Sequence, residues 1–294
     1  TALVREYDSS RSWYNTWLVD PDNPDIPDRL LWSHSVNERY EHPGFPLMRQ
    51  LPNGKRAMRV HSNSIFLNGN GSSVEGDRPF LDKLNLVKFE REHLFKCDEF
   101  SYEAVVALLS DDGSEYVTRH ETEDEHPNYF VRKVGELERQ PLTEFMDPAK
   151  SLREVQKKLI TYERADGVML NCMLHLPPGY DLENPLPLPT ILWAYPRAYT
   201  QGRMAGQVSN SPHRFSTFAG ASPRFLALQG YAVLDQVAMP IVGDPEMAND
   251  TFTEQIVANA EAAIDAVVKM GVCDQQRVGV GGHSYGAFMA VMLL

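Results

Sequence analysis

Hydrophobic and polar positions follow two different rules along this chain, and the change falls near residue 150. Before it, short alternating runs such as Trp17-Leu18-Val19, Arg29-Leu30-Leu31-Trp32, Ser64-Ile65-Phe66-Leu67 and Val105-Val106-Ala107-Leu108-Leu109 predict β-strands. Turn chemistry separates them, as at Asn68-Gly69-Asn70-Gly71 and Asp111-Asp112-Gly113. Weaker strand pairs are expected where Leu84-Asn85-Leu86 leads into Lys88-Phe89-Glu90 and Tyr129-Phe130-Val131 into Glu136-Leu137-Glu138. A spacing of roughly 50 residues between such pairs suits four-stranded propeller blades. Only two to three blades fit this length, and so few cannot close without exposing strand edges, so the expectation is a propeller cut at its N-terminal side.

From about Ser151 onward strands alternate with helices. Strands are predicted over Lys158 to Arg164, Val168 to Leu176, Thr190 to Tyr195 and Tyr231 to Val237. One helix is strongly signalled. Thr251-Phe252-Thr253-Glu254 reads as a capping box, Phe252, Ile256, Val257, Ala260, Ile264 and Val267 form an apolar face, and Gly271 after Lys269 supplies the stop. Strand–helix alternation predicts the α/β class and, in this order, the N-terminal half of an α/β-hydrolase sheet preceded by β-propeller blades. The expected domains are therefore residues 1–150, a partial propeller, and 151–294, a partial hydrolase domain.

The chemistry concentrates at Gly281-Gly282-His283-Ser284-Tyr285-Gly286, a G-x-S-x-G sequence. Arg277-Val278-Gly279-Val280 before it predicts a buried strand, and Ala287 to Leu294 after it a buried helix. A strand–turn–helix elbow lifts a serine Oγ out of the sheet, and the helix N-terminus favours negative charge developing at an oxyanion. Partners of such a serine follow in the order Asp or Glu, then His, and both are expected beyond Leu294. His283 is excluded as the base, because adjacent side chains on a tight elbow diverge.

Composition removes several other functions. A net charge of −12 disfavours nucleic acid and anionic lipid as partners. No apolar run is long enough for a membrane span. Cys97, Cys172 and Cys273 lie far apart with no C-x-x-C spacing, so neither a zinc site nor a disulfide framework is indicated. His120-Glu121-Thr122-Glu123-Asp124-Glu125-His126 lacks the spacing of H-E-x-x-H and reads as a solvated acidic loop, so no metal site is expected. Asn70-Gly71-Ser72 and Asn249-Asp250-Thr251 match the glycosylation triplet but read as turn and cap chemistry.

These residues resemble the prolyl oligopeptidase family of serine peptidases, within it the glutamyl endopeptidase branch of plant plastids and bacteria. The resemblance rests on Leu176-Pro177-Pro178-Gly179-Tyr180, Leu192-Trp193-Ala194-Tyr195-Pro196, Ala205-Gly206-Gln207-Val208 followed by Ser211-Pro212, Ala248-Asn249-Asp250, Glu261-Ala262-Ala263 and Gly281 to Met289. Pro79-Phe80-Leu81-Asp82 and Val105 to Leu108 extend it into the N-terminal half. It implies a serine peptidase acting on peptides, with cleavage after Glu through an acyl-enzyme and with no metal or organic cofactor. Ser284 is then the nucleophile, and the Tyr195 hydroxyl with the Tyr285 N–H forms the oxyanion hole. Tyr199 is a rival for Tyr195, whose alternative role is a core aromatic beside Trp193. Cleavage after Glu needs a cation, and Arg197, Arg203 and Arg214 are the candidates here. Each could instead be a surface arginine, and the pocket residue could equally lie outside this stretch. The implied location is the plastid stroma for a plant or alga, otherwise the cytoplasm or an exported bacterial protein; oligomeric state is left open. Two further readings compete: a catalytically incomplete fragment or degenerate homologue acting at most as a peptide-binding module, and an esterase on the same sheet.

Overall fold

The computed structural model describes residues 1–244 and 246–294, with Ser151 and Ala248 described through their backbone alone. The chain divides into two compact units, one made of Thr1–Glu38, Glu154–Gln207 and Phe218–Leu294, the other of Arg39–Arg153 and Val208–Thr217.

The first unit is built on a five-stranded mixed sheet of β1 (Gln156–Glu163), β2 (Met169–Leu176), β3 (Leu188–Ala194), β4 (Ala232–Val237) and β5 (Cys273–Gly281), in the order β1-β2-β4-β3-β5. The β1-β2 and β2-β4 pairs are antiparallel, whereas β3 runs parallel to both β4 and β5. Register places Leu192 of β3 opposite Leu234 and Val280, a fully apolar row through the centre of the sheet. Such continuous apolar runs are what strands covered on both faces require. The core joins Leu170, Leu174, Leu192 and Leu234 to Ile256, Ala263 and Val267 of helix α1 (Phe252–Lys269) and Met289 of helix α2 (Tyr285–Met292). The same unit holds a three-stranded antiparallel sheet of Ala2–Asp8, Trp13–Val19 and Arg29–Ser35.

Helix α1 ends where Gly271 predicts, and for the expected reason. Gly271 adopts φ +74°. Its N–H donates to the Val268 carbonyl at 2.8 Å and that of Val272 to Val267 at 3.0 Å, the two bonds of a Schellman closure. The start differs from expectation. Thr251 lies in a 3-10 turn and makes no side-chain cap; instead its Oγ1 accepts from Gln255 Nε2 at 2.9 Å. The buried face is also rotated: Val257 is exposed, and Asn259, fully buried, takes a place on the inward stripe.

Asn259 is inside because its polar atoms are satisfied there. Arg164 Nη1 donates to its Oδ1 at 2.8 Å, and its Nδ2 donates to the Pro240 carbonyl at 3.0 Å. Asp166 grips the other edge of Arg164 through two 2.8 Å bonds. One turn earlier, Gln255 Oε1 accepts from Val242 N–H at 2.8 Å and its Nε2 donates to Val242 C=O at 2.9 Å. Two amides of α1 thus hold the short strand Pro240–Val242 at both ends, and that strand pairs in parallel with Arg197–Tyr199.

In the second unit, Tyr102–Leu108, Glu115–Glu121, Asn128–Lys133 and Arg139–Pro141 form a four-stranded antiparallel meander in sequence order. Another sheet orders Arg91–Lys96, Phe80–Asn85, Ser64–Gly69 and Phe45–Pro46. Lys88-Phe89-Glu90 belongs to the turn between two strands, not to a strand. Asn85 Oδ1 accepts the N–H groups of Val87 and Lys88 at 2.9 Å each, and Phe89 takes φ +60°. Glu136 to Glu138 likewise lies between strands.

The segment around His120 departs from the solvated-loop expectation. His120 and Glu121 close a strand and are buried, at 5% and 1% exposure. Glu121 can be buried because Arg119 Nη2 lies 3.2 Å from one oxygen and Arg214 Nε donates to the other at 3.1 Å. All three cysteines are buried and free.

A second buried polar site lies on the central sheet of the first unit. His175 of β2 is 1% exposed, and among the described residues neither ring nitrogen has a hydrogen-bond partner. Asp235 Oδ2 approaches its Nε2 to 3.9 Å but already accepts from Arg224 Nε at 2.8 Å. Burial, reinforced by the charges of Arg224 and Lys157, pushes the His175 pKa down to about 3.

Two outcomes are expected. Asn259→Ala strips a partner from buried Arg164 and from the Pro240 carbonyl, so the urea midpoint should fall by the equivalent of about 2–4 kcal/mol. His175 stays neutral in the folded chain, while in the unfolded chain it takes up a proton near pH 6.5. The unfolded state binds the extra proton between those values, so stability should decline as pH falls from about 6.5 towards about 3. The slope from this group is at most about 1.4 kcal/mol per pH unit, and His175→Leu should remove it from a pH series of urea melts.

Candidate active site

Strand β5 ends at Gly281 and helix α2 begins at Tyr285, leaving three residues to reverse direction. Ser284 absorbs that reversal with φ 55° and ψ −114°, a conformation an L-residue takes only under local strain of about 1–3 kcal/mol. Its carbonyl accepts from Ala287 N–H at 2.9 Å and its side chain is exposed, with no hydrogen bond to the helix it caps. His283 is exposed as well.

Glycine is required on both sides of the turn by the carbonyl of Ala194 at the end of β3. A Cβ on Gly282 would stand 2.6 Å from that oxygen and 2.7 Å from the Gly286 Cα. One on Gly286 would collide with the same oxygen and lie 3.6 Å from the Tyr195 Cα. Gly281 faces the Trp193 ring, which its Cβ would meet at 2.8 Å.

This packing brings Tyr195 to the elbow. Tyr195 is 48% exposed, and its ring meets that of Tyr285 edge-on, with centroids 6.1 Å apart. Tyr285 is in turn stacked on Phe288 at 5.9 Å and tilted against Phe252 at 5.3 Å. Desolvation, with a smaller contribution from Tyr195, raises the Tyr285 phenol, so that phenol stays neutral near pH 7. The backbone N–H of Tyr285 heads α2, where the helix itself offers no acceptor. Tyr199, the rival of Tyr195, sits at the far end of the Arg197–Tyr199 strand.

The three candidate arginines part company. Arg197 opens that strand and is exposed. Arg203, on the short helix Gly202–Ala205, donates from Nε to Gln201 Oε1 at 3.0 Å. Arg214 belongs to the second unit, bonded to Glu121 and stacked 4.6 Å over the Tyr102 ring.

Phe252 and Phe288 are the neighbours that sequence reasoning missed. Phe252 reads as an ordinary core position, and only the spacing Tyr285–Phe288, one helical turn, hinted that the two rings share a face. A groove of about 790 Å³ between β1 and α1, lined by Lys158, Tyr162, Glu261, Asp265 and Lys269 among others, contains none of these residues. Among the described residues no group of three or more His, Cys, Asp or Glu is arranged to hold a metal ion, and no helix is long and apolar enough to cross a membrane.

Gly286→Ala should be the most damaging single-methyl change at the elbow, since the Cβ meets a fixed backbone oxygen. A loss of about 3 kcal/mol or more, or failure to fold, is expected in thermal melts, where an unobstructed exposed helical Gly→Ala ordinarily gains up to about 1 kcal/mol.

No family model matches the chain. Among curated proteins it is 38% identical over 313 aligned positions to a protein of Oryza sativa subsp. japonica named "Probable glutamyl endopeptidase, chloroplastic", and 35% identical over 314 to an Arabidopsis thaliana protein of the same name. Both alignments take in all of this chain but 33% and 32% of the relative, so the chain spans about a third of their length. The fold matches that of Porphyromonas gingivalis dipeptidyl peptidase 4 with a TM-score of 0.56 at 14% identity, covering 99% of this chain and 44% of that one. It also matches the AtxE2 isopeptidase with a TM-score of 0.54 at 16% identity, over 97% and 43%. Along its whole length, this chain is a homologue of one third of the plant proteins named glutamyl endopeptidase.

Proposed function

We propose that the chain carries the nucleophile half of a serine peptidase that cleaves peptides after glutamate. In this reading the five-stranded sheet is the first half of an α/β-hydrolase domain, and the antiparallel sheets of the second unit are propeller blades. Ser284 attacks the scissile carbonyl and forms an acyl-enzyme. The Tyr195 hydroxyl and the Tyr285 N–H donate to the oxyanion, a pair worth several kcal/mol because neutral donors are fixed before charge develops. An Asp and a His from the remainder of the protein orient and deprotonate Ser284.

The observation that carries the reading is the strained, exposed Ser284 at the head of α2, held between two glycines that only a close approach to the Ala194 carbonyl explains. Strain of this kind persists where the surroundings over-determine it and where a side chain must be presented. Glutamate preference follows the name borne by the two plant relatives. An esterase would need the same elbow but no cation for an acidic side chain.

The test uses the full-length protein. A fluorophosphonate probe should label Ser284, mapped by peptide sequencing, and Ser284→Ala should abolish both labelling and peptidyl-amide hydrolysis. Labelling elsewhere, or activity retained by Ser284→Ala, would overturn the proposal.

A further inference from the structure

We infer that Arg197 is the residue that receives the substrate's acidic side chain, an assignment that rests on the peptidase reading above. Three observations meet at this position. The first is place. Tyr195 lies against the elbow through its Cα and its ring, and burial alternates from exposed Tyr195 to buried Pro196 to exposed Arg197. Alternation on an extended chain puts Tyr195 and Arg197 on one face, with Cα atoms about 6–7 Å apart. A side chain entering beside Ser284 and Tyr195 therefore meets Arg197 next.

The second is rigidity. Arg197 N–H donates to the Met239 carbonyl at 3.1 Å, and the strand it opens pairs with Pro240–Val242. Gln255 and Asn259 clamp that partner strand to α1. The guanidinium thus rises from a backbone fixed to the main core, which lowers the ordering cost of gripping a ligand.

The third is charge. With 40 acidic and 28 basic side chains, most arginines here are claimed by a carboxylate, among them Arg59, Arg91, Arg132, Arg164, Arg214 and Arg224. Among the described residues the Arg197 guanidinium has no hydrogen bond or ion pair. An arginine left unclaimed in an acidic chain, beside the elbow, keeps its planar fork for an incoming carboxylate, which it can bind through two parallel N–H···O bonds. Arg203 and Arg214 are each engaged within the chain.

The deciding experiment compares two peptidyl amides on the full-length enzyme, identical except for Glu or Gln before the scissile bond. Arg197→Met should lower kcat/KM for the Glu substrate by about thirtyfold or more and for the Gln substrate by less than about threefold. Arg197→Lys, which keeps the charge but not the fork, should fall between. An unchanged Glu-to-Gln ratio in Arg197→Met would overturn the assignment. Fluorophosphonate labelling separates the two hypotheses: a labelled Arg197→Met enzyme with intact Glu preference sinks only the Arg197 inference, whereas an unlabelled wild type sinks the nucleophile. Binding of a Glu-terminated product peptide to Ser284→Ala, with and without Arg197→Met, reads the contact without turnover. Equal affinity in the two would also overturn the inference.

Discussion

The carbonyl oxygen of Ala194 is the contact on which the site depends. It sits where any Cβ on Gly282 or Gly286 would go, so strand β3, the elbow and the first turn of α2 can occupy their positions only if both residues are glycine. The contact is steric and costs nothing to maintain once the glycines are present, yet it sets two distances together. It brings the start of α2 against the end of β3, and it delivers Tyr195, the residue that follows that strand, to Tyr285. Without it, Ser284 after one strand and Tyr195 after another would be held in register only by the sheet ladder. That ladder is already irregular near this end, since the β3–β4 register shifts between Leu192 and Ala194.

The loop that continues from Tyr195 is held by a different means. Short strands of three residues have too few ladder bonds to be rigid on their own. Here Arg197–Tyr199 gains rigidity at one remove, through Pro240–Val242 and the two amide side chains of α1 behind it. Burying Asn259 and Arg164 would be costly if either were left unsatisfied, and the network closes on Asp166 and Pro240 so that each guanidinium or amide edge has a partner. Polar groups in this core therefore fix geometry more than they add stability.

What the sequence revealed and what it hid follow one physical division. Features set by local backbone rules were legible: the Gly271 stop needs only a positive φ and two closure bonds, and the strand–turn–helix around Ser284 needs only glycines and apolar flanks. Features set by distant partners were not. Asn259 did not figure on the apolar face read from the sequence, and the Arg164 that lets it be buried lies 95 positions away. Glu121 looked solvated because Arg214, 93 positions later, neutralises it. The capping box misled for a related reason. Thr251 was already committed to a 3-10 turn, and Gln255, whose amide also ties down Val242, reached back to its hydroxyl. At Phe89 the available clue was overlooked, since Asn85, four residues earlier, is a side chain that folds a turn over itself by accepting the N–H groups two and three residues on.

Strain at Ser284 and close packing around it form one argument. A serine held at φ 55° relaxes unless neighbours forbid it, and here the forbidding contacts are all backbone or ring: the Ala194 oxygen behind Gly282 and Gly286, and Trp193 over Gly281. Met289, fully buried one turn into α2, anchors the helix from the other side. A penalty of about 1–3 kcal/mol is smaller than the roughly 2–5 kcal/mol lost on truncating one such buried Met. Packing of α2 alone is therefore sufficient to keep the elbow wound. Charged groups are not needed to hold it: the contacts that fix the turn are those of backbone and uncharged side chains.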